Sequence, residues 1–198
     1  HALPHSLLGR LQWRAAYQRD HVAYRFVSDQ ALSIAHSDTT TWTYGELCQQ
    51  VQAVANKLAK VDSLKEQPVL LVYPPGLELI SSFLGCLSVG AIATLVPPPR
   101  RHESLARWQH IMADANVAGV LTTQALLNDI KPLIDPRTAD AIYWVATDAF
   151  NHSDRPSGDG SDDREFWLEL PTADKIAFLQ YTSGSTSQPK GVIVTHAN

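Results

Sequence analysis

The sequence has little of several features that mark particular protein classes. Only two cysteines occur among 198 residues, Cys48 and Cys86, and both stand inside apolar patterns. This scarcity excludes a disulfide-built fold and is typical of a reduced, cytoplasmic protein. The 16 basic and 20 acidic residues include no long block of one sign. We therefore expect two buried thiols and no nucleic-acid partner.

The chain also lacks an apolar run of the kind that spans a membrane. Residues 79–99 contain no charged side chain and approach the length of a spanning helix. However, serine and threonine interrupt this run, Gly90 stands where a helix would end, and residues 91–96 fit a separate buried strand. The N-terminal residues have neither the basic start nor the apolar run of a secretory signal. We predict no membrane span.

What the sequence does contain is an alternation of strand-like and helix-like segments. A hydrophobic content of 44% is enough for a sizeable core. Strands are predicted at 22–27, 32–35, 68–73, 91–96, 118–122, 141–146 and 176–181, with a further apolar run at 192–194. Helices are predicted after Thr43 and at 77–89, 105–115 and 124–130. This order predicts an α/β fold with a mostly parallel sheet flanked by helices.

One helix has a clear start signal and one long segment has none. Thr43 and Glu46 have the spacing of a capping box, and an apolar face with helical spacing follows them. By contrast, residues 147–163 are rich in Asp, Ser, Gly, Asn and Pro, which predicts a solvated loop. Four of the aspartates in this segment lack the spacing of a calcium loop: Asp154, Asp159, Asp162 and Asp163. We interpret them as hydrated surface and not as a metal site.

The most informative segment is 182–191, which reads Thr-Ser-Gly-Ser-Thr-Ser-Gln-Pro-Lys-Gly between two apolar runs. Small residues allow backbone N–H groups to surround an anion, hydroxyl groups add donors, and Lys190 adds a positive charge. A Walker A loop is excluded, because here the lysine precedes Gly191 and leads into a strand. A flexible linker is the alternative, but linkers are rarely bracketed by strands this apolar. The segment therefore predicts a phosphate-binding loop.

Segment 181–191 closely resembles the AMP-binding signature of the adenylate-forming superfamily, which includes acyl-CoA synthetases, luciferases and peptide-synthetase adenylation domains. The Thr-Trp-Thr-Tyr-Gly-Glu-Leu stretch at 41–47 also fits that superfamily. Other stretches resemble one branch, the fatty acyl-AMP ligases: Tyr-Pro-Pro-Gly at 73–76, Gly-Cys-Leu at 85–87 with the prolines at 97–99, and Phe-Leu-Gln-Tyr at 178–181. The resemblance covers nearly the whole chain and implies the N-terminal subdomain of an adenylate-forming enzyme.

This resemblance implies a two-step reaction that uses ATP with Mg2+. A fatty-acid carboxylate attacks the α-phosphate of ATP, pyrophosphate leaves, and a thiol acceptor later takes the acyl group. The residues implied in holding the β- and γ-phosphates are Thr182, Ser183, Ser185, Thr186 and Lys190, while Gly184 and Gly191 permit the turn. We expect His196 and Asn198 to orient neighbouring structure, and no residue of this chain is assigned as catalytic.

The resemblance further implies that residues 1–198 are the N-terminal portion of an AMP-binding large domain, without its remainder or its small lid domain. We expect this portion alone to be inactive. Three functions remain open: a fatty acyl-AMP ligase that delivers to an acyl carrier protein, an acyl-CoA synthetase, and a non-catalytic lipid-sensing or interaction domain of the same fold. A free-standing ligase and a domain of a polyketide or lipopeptide assembly line would share these residues.

Overall fold

The computed structural model describes residues 6–28, 39–99, 102–149, 171–182 and 189–198. Its helices are α1 (Leu7–Tyr17), α2 (Tyr44–Ala59), α3 (Glu78–Ser88), α4 (His102–Asp114), α5 (Gln124–Ile130) and α6 (Pro136–Ala141). Its strands are β1 (Val22–Val27), β2 (Thr39–Thr43), β3 (Pro68–Val72), β4 (Ile92–Leu95), β5 (Gly119–Thr122), β6 (Tyr143–Ala146), β7 (Ile176–Thr182) and β8 (Lys190–Thr195). The alternation of helices and strands that the sequence predicts is confirmed.

Within these ranges, six strands form one sheet in the order β6-β5-β3-β4-β7-β8. Neighbouring strands are parallel along the series β6-β5-β3-β4-β7. The last pair, β7 with β8, is antiparallel. A separate antiparallel pair consists of β1 and β2. The predicted fold class, a mostly parallel α/β sheet flanked by helices, is confirmed.

Strand β3 lies inside the sheet and is covered on both faces by helices. Its residues Val69, Leu70, Leu71 and Val72 are all 0% exposed, as expected for a parallel strand written as a continuous apolar run. Val69 and Leu71 belong to a core that includes residues of α2 and α3. Leu70 and Val72 belong to a second core that includes residues of α4 and α5. The sheet therefore separates two hydrophobic cores.

Helix α2 begins where the sequence predicts. The Thr43 hydroxyl accepts a hydrogen bond from the Glu46 N–H (3.2 Å), and the Glu46 carboxylate accepts one from the Thr43 N–H (2.8 Å). This capping box satisfies two donors that a helix start would otherwise leave free. The helix then packs closely against α3, where a Cβ added at Gly85 would lie 2.5 Å from Cγ1 of Val54. Gly85 allows these two helices to approach each other.

The structure also corrects parts of the sequence reading. Helices α1 and α6 were not predicted, and Ala141, which was assigned to a strand, is the last residue of α6. Asp135 caps this short helix by accepting from the N–H groups of Arg137 and Thr138. Strand β1 pairs with β2, which was not predicted either. The predicted strand at 32–35 and most of the predicted loop at 147–163 lie outside the described residues.

The apolar run 79–99 is divided as predicted. It consists of most of α3, a turn at Gly90 with φ of 72°, strand β4 and the prolines. Among the described residues, no helix has the length and apolar character needed to cross a membrane. Cys48 and Cys86 are both buried, as expected, and neither forms a disulfide. Burial raises the pKa of the Cys86 thiol to about 12. Cys86 is therefore a packing residue and not a reactive thiolate.

A chain of hydroxyl groups crosses the carboxyl ends of β3 and β5. The Ser82 hydroxyl donates to the Tyr73 hydroxyl (2.8 Å), which contacts the Thr147 hydroxyl (2.9 Å). Thr147 in turn donates to the carbonyl oxygen of Thr122 (3.4 Å), and the Thr122 hydroxyl donates to the carbonyl oxygen of Val72 (2.6 Å). Burial raises the pKa of Tyr73, so its hydroxyl stays protonated. These contacts join α3 to the edge where three strands end.

We predict that Gly85→Ala destabilises the chain, although alanine ordinarily stabilises a helix by about 1 kcal/mol relative to glycine. The new methyl group would overlap Val54, and overpacking of this kind costs about 1–3 kcal/mol. Urea unfolding followed by circular dichroism measures the difference. Gly76→Ala is the control, because its nearest obstacle is Oε2 of Glu78, the far end of an exposed side chain. A Gly85→Ala variant as stable as the parent would contradict the close packing.

We also predict that Tyr73→Phe lowers the free energy of unfolding by about 1–3 kcal/mol, because Ser82 and Thr147 lose their shared partner in a buried site. Removal of both the donor and the acceptor is less costly than stranding one of them. The Tyr73→Phe/Ser82→Ala double variant should therefore be more stable than the sum of the two single losses indicates. Strict additivity in urea unfolding would show that the two hydroxyl groups do not interact.

Candidate functional site

The candidate phosphate site lies at one edge of the main sheet. Five strands of this sheet run parallel, in the order β6-β5-β3-β4-β7, so their carboxyl ends all lie at this edge. Ligands of open α/β sheets bind beyond the carboxyl ends of the strands. Thr182 is the last residue of β7 and Lys190 is the first residue of β8. Both ends of the predicted loop are therefore at the edge where a ligand is expected.

Pairing between β7 and β8 brings a hydroxyl group and a cation together. Thr182 and Lys190 are directly opposite each other in the antiparallel register, so their side chains project to the same face of the sheet. Both residues are exposed. Lys190 forms no ion pair among the described residues, and its charge is open to an incoming anion.

The structure locates three of the seven residues implied in phosphate binding. Thr182, Lys190 and Gly191 lie together at the ends of β7 and β8. The other four lie outside the described residues: Ser183, Gly184, Ser185 and Thr186. For these four, the role in phosphate binding stays a prediction.

Tyr181 and Asp114 are site residues to which the sequence reading assigned no role. The Tyr181 hydroxyl donates to Oδ2 of Asp114 at 2.6 Å. Burial first, and then the Asp114 carboxylate, raise the pKa of Tyr181 above its ordinary value. Tyr181 was visible inside the resembling segment, but nothing in the sequence links it to an aspartate 67 residues away.

His196 and Asn198 lie at the other end of β8. Oδ1 of Asn198 accepts from the N–H (2.9 Å) and the hydroxyl (3.0 Å) of Thr195, and the His196 N–H donates to the carbonyl oxygen of Lys175 (3.0 Å). Burial lowers the pKa of His196. Six residues of extended chain place His196 roughly 20 Å from Lys190. His196 is therefore far from the proposed phosphate site.

A cavity of about 830 Å³ lies at the amino edge of the sheet, away from that site. Its lining includes Gly90, Ile176 and His196, together with the exposed ion pair between Lys175 Nζ and Glu66 Oε1 at 2.6 Å. Among the described residues, no group of three or more His, Cys, Asp or Glu side chains is arranged to hold a metal. The described lining of the cavity thus contains no residue that flanks the predicted loop and no cluster of side chains that fits a metal ion.

Comparisons with known proteins identify relatives of this chain. The chain is 33% identical over 199 residues to the medium-chain-fatty-acid–[acyl-carrier-protein] ligase JamA of Moorena producens, covering 98% of this chain and 31% of JamA. It is 31% identical over 179 residues to the long-chain-fatty-acid–AMP ligase FadD23 of Mycobacterium tuberculosis, covering 90% of this chain and 29% of FadD23. The chain thus spans about a third of the length of these relatives.

A solved structure has the same fold. The fatty acyl-adenylate ligase from Legionella pneumophila, in complex with acyl adenylate and pyrophosphate, superposes with a TM-score of 0.78 at 30% identity. The match covers 96% of this chain and 30% of that one. The model of the family described as AMP-binding enzyme matches residues 11–198. With this match over almost its full length, the chain belongs to the AMP-binding enzyme family.

Proposed function

We propose that residues 1–198 form the N-terminal portion of the large domain of a ligase that activates a fatty acid with ATP, giving acyl-AMP and pyrophosphate. One observation carries this proposal. The register between β7 and β8 holds the Thr182 hydroxyl and the Lys190 cation side by side at the carboxyl edge of the sheet. A polyphosphate needs donors and positive charge on one side, and this edge supplies both.

The described residues fit an ATP polyphosphate by their chemistry. ATP, when bound, supplies the α-phosphate that the substrate carboxylate attacks and the pyrophosphate that leaves. Lys190 would offset the negative charge that grows on the departing phosphates, and Thr182 would donate a hydrogen bond to them. Gly191 would keep the backbone beside Lys190 close to the ring of Tyr181. These described residues would thus stabilise the leaving group.

Mg2+ enters the proposal as the partner of ATP. The described residues contain no carboxylate cluster that fits a metal, so we do not assign a protein ligand for Mg2+ among them. The ion would be held by the phosphates of ATP.

Substrate and acceptor are inferred from the relatives. JamA is named as a ligase of medium-chain fatty acids and acyl carrier protein, and the Legionella structure holds acyl adenylate and pyrophosphate. We propose a fatty acid as the substrate and an acyl carrier protein as the acceptor of the acyl group. Both cysteines are buried and neither forms a disulfide, which supports a reducing compartment, and we propose the cytoplasm.

The edge of the sheet supports the proposal that more protein completes the domain. In the described residues β8 has one neighbour in the sheet, and Val192 and Ile193 are 51% and 60% exposed. An exposed apolar edge strand is a surface that proteins ordinarily cover. We therefore propose that these 198 residues do not make acyl-AMP on their own.

We predict fatty-acid-dependent ATP–pyrophosphate exchange by the complete protein that carries this chain. Lys190→Ala should lower the exchange rate about 10²-fold, because removing one group that stabilises developing negative charge costs about that much. Lys65→Ala is the matched control, since it removes the same charge at the opposite edge of the sheet and should leave the rate unchanged. The isolated 198-residue chain should release no AMP.

The same assay separates the three candidate functions. Acyl transfer to a phosphopantetheinylated carrier protein, without acyl-CoA formation, would support the acyl-AMP ligase. Acyl-CoA formation would identify an acyl-CoA synthetase instead. Absence of exchange with every fatty acid, by a folded protein, would favour the non-catalytic domain and refute the proposed activity.

A further inference from the structure

Tyr181 connects three elements at the base of the predicted loop. It directly precedes Thr182 at the end of β7, and its hydroxyl donates to Asp114 on α4. It is also the register partner of Gly191 on β8. Tyr181 thus links α4 to the two strand ends, of β7 and of β8, that flank the predicted loop.

The contact between Tyr181 and β8 leaves little room for a side chain at Gly191. A Cβ added at Gly191 would lie 3.0 Å from Cζ and 3.2 Å from the hydroxyl oxygen of Tyr181. Real Cβ atoms rarely approach other atoms so closely. The ring of Tyr181 therefore lies directly over the backbone next to Lys190.

The carboxylate that accepts from Tyr181 is not explained by helix stability. Asp114 is the last residue of α4, where a negative charge meets the unpaired carbonyl groups and the negative end of the helix dipole. This position ordinarily favours lysine or arginine. The hydrogen bond at 2.6 Å has the length of a strong bond to a charged acceptor. Its partner Tyr181 thus accounts for an aspartate that the helix does not require.

We propose that Tyr181, held by Asp114 and by contact with Gly191, is a positioning residue that sets the separation of Thr182 and Lys190 for the phosphates of ATP. This inference rests on the proposed function. Loss of the Asp114 contact would free the ring, and the strand ends beside it would lose a fixed spacing. The raised pKa of Tyr181 keeps its hydroxyl protonated, so it remains a donor throughout the range in which enzymes are assayed.

The test compares Tyr181→Phe, Asp114→Ala and the double variant in the complete protein. Each single variant should raise the KM for ATP and for pyrophosphate about three- to tenfold, the size expected for one lost hydrogen bond. The KM for the fatty acid should change less than twofold. The double variant should be no worse than either single variant, because both remove the same contact.

Two controls remove the same groups elsewhere. Tyr24→Phe removes a hydroxyl from exposed β1, and Asp129→Ala removes a carboxylate from the last turn of α5. Both controls should keep the parent KM for ATP. Equal increases in the KM for ATP and for the fatty acid, or additive effects in the double variant, would overturn the positioning role.

A second measurement does not depend on activity. In the 198-residue chain, amide hydrogen exchange at Thr182, Lys190 and Gly191 should become at least tenfold faster in Tyr181→Phe, while exchange in β3 stays unchanged. Unchanged exchange at the three amides would refute the inference. If the parent protein shows no pyrophosphate exchange but these amides respond, the proposed function fails and the positioning of the strand ends stands.

Discussion

Burial of β3 is the constraint on which the rest of the structure depends. Four consecutive side chains of this strand are completely buried, alternating between the two hydrophobic cores. Each core needs helices to cover it, so α2 and α3 are held on one face and α4 and α5 on the other. Parallel strands can be joined only by crossovers, and the helices supply both the crossovers and the cover.

The parallel arrangement also decides where chemistry is possible. Because the strands from β6 to β7 run in one direction, their carboxyl ends meet at a single edge, where side chains from distant parts of the sequence come close together. The chain of hydroxyl groups from Ser82 to Thr122 connects this edge to α3 by hydrogen bonds. Strand β8 begins at the same edge and runs in the opposite direction to β7, so that Lys190 lies opposite Thr182.

Close approach through glycine recurs where elements must pack tightly. Gly85 brings α3 against Val54 of α2, and Gly191 brings β8 under the ring of Tyr181. In each case glycine is needed because a side chain would fill the space between the two elements. Neither of these two glycines has a positive φ. Packing distance, and not turn geometry, explains both glycines.

The sequence by itself determined those features that depend on near neighbours along the chain. Apolar periodicity located β3, α3 and β5, the Thr43 and Glu46 spacing located the start of α2, and the hydroxyl-rich segment with Lys190 indicated phosphate chemistry. Weaker local signals failed, as at α1, at α6 and at the strand β2 that pairs with β1.

The tertiary structure alone decided the strand order and the partners of single side chains. No local pattern states that β3 lies between β4 and β5, or that Tyr181 meets an aspartate 67 residues earlier. Such contacts form because burying both faces of the sheet brings remote segments together. The energy of these contacts depends on the distance between residues in space. The spacing of the same residues along the chain does not specify that distance.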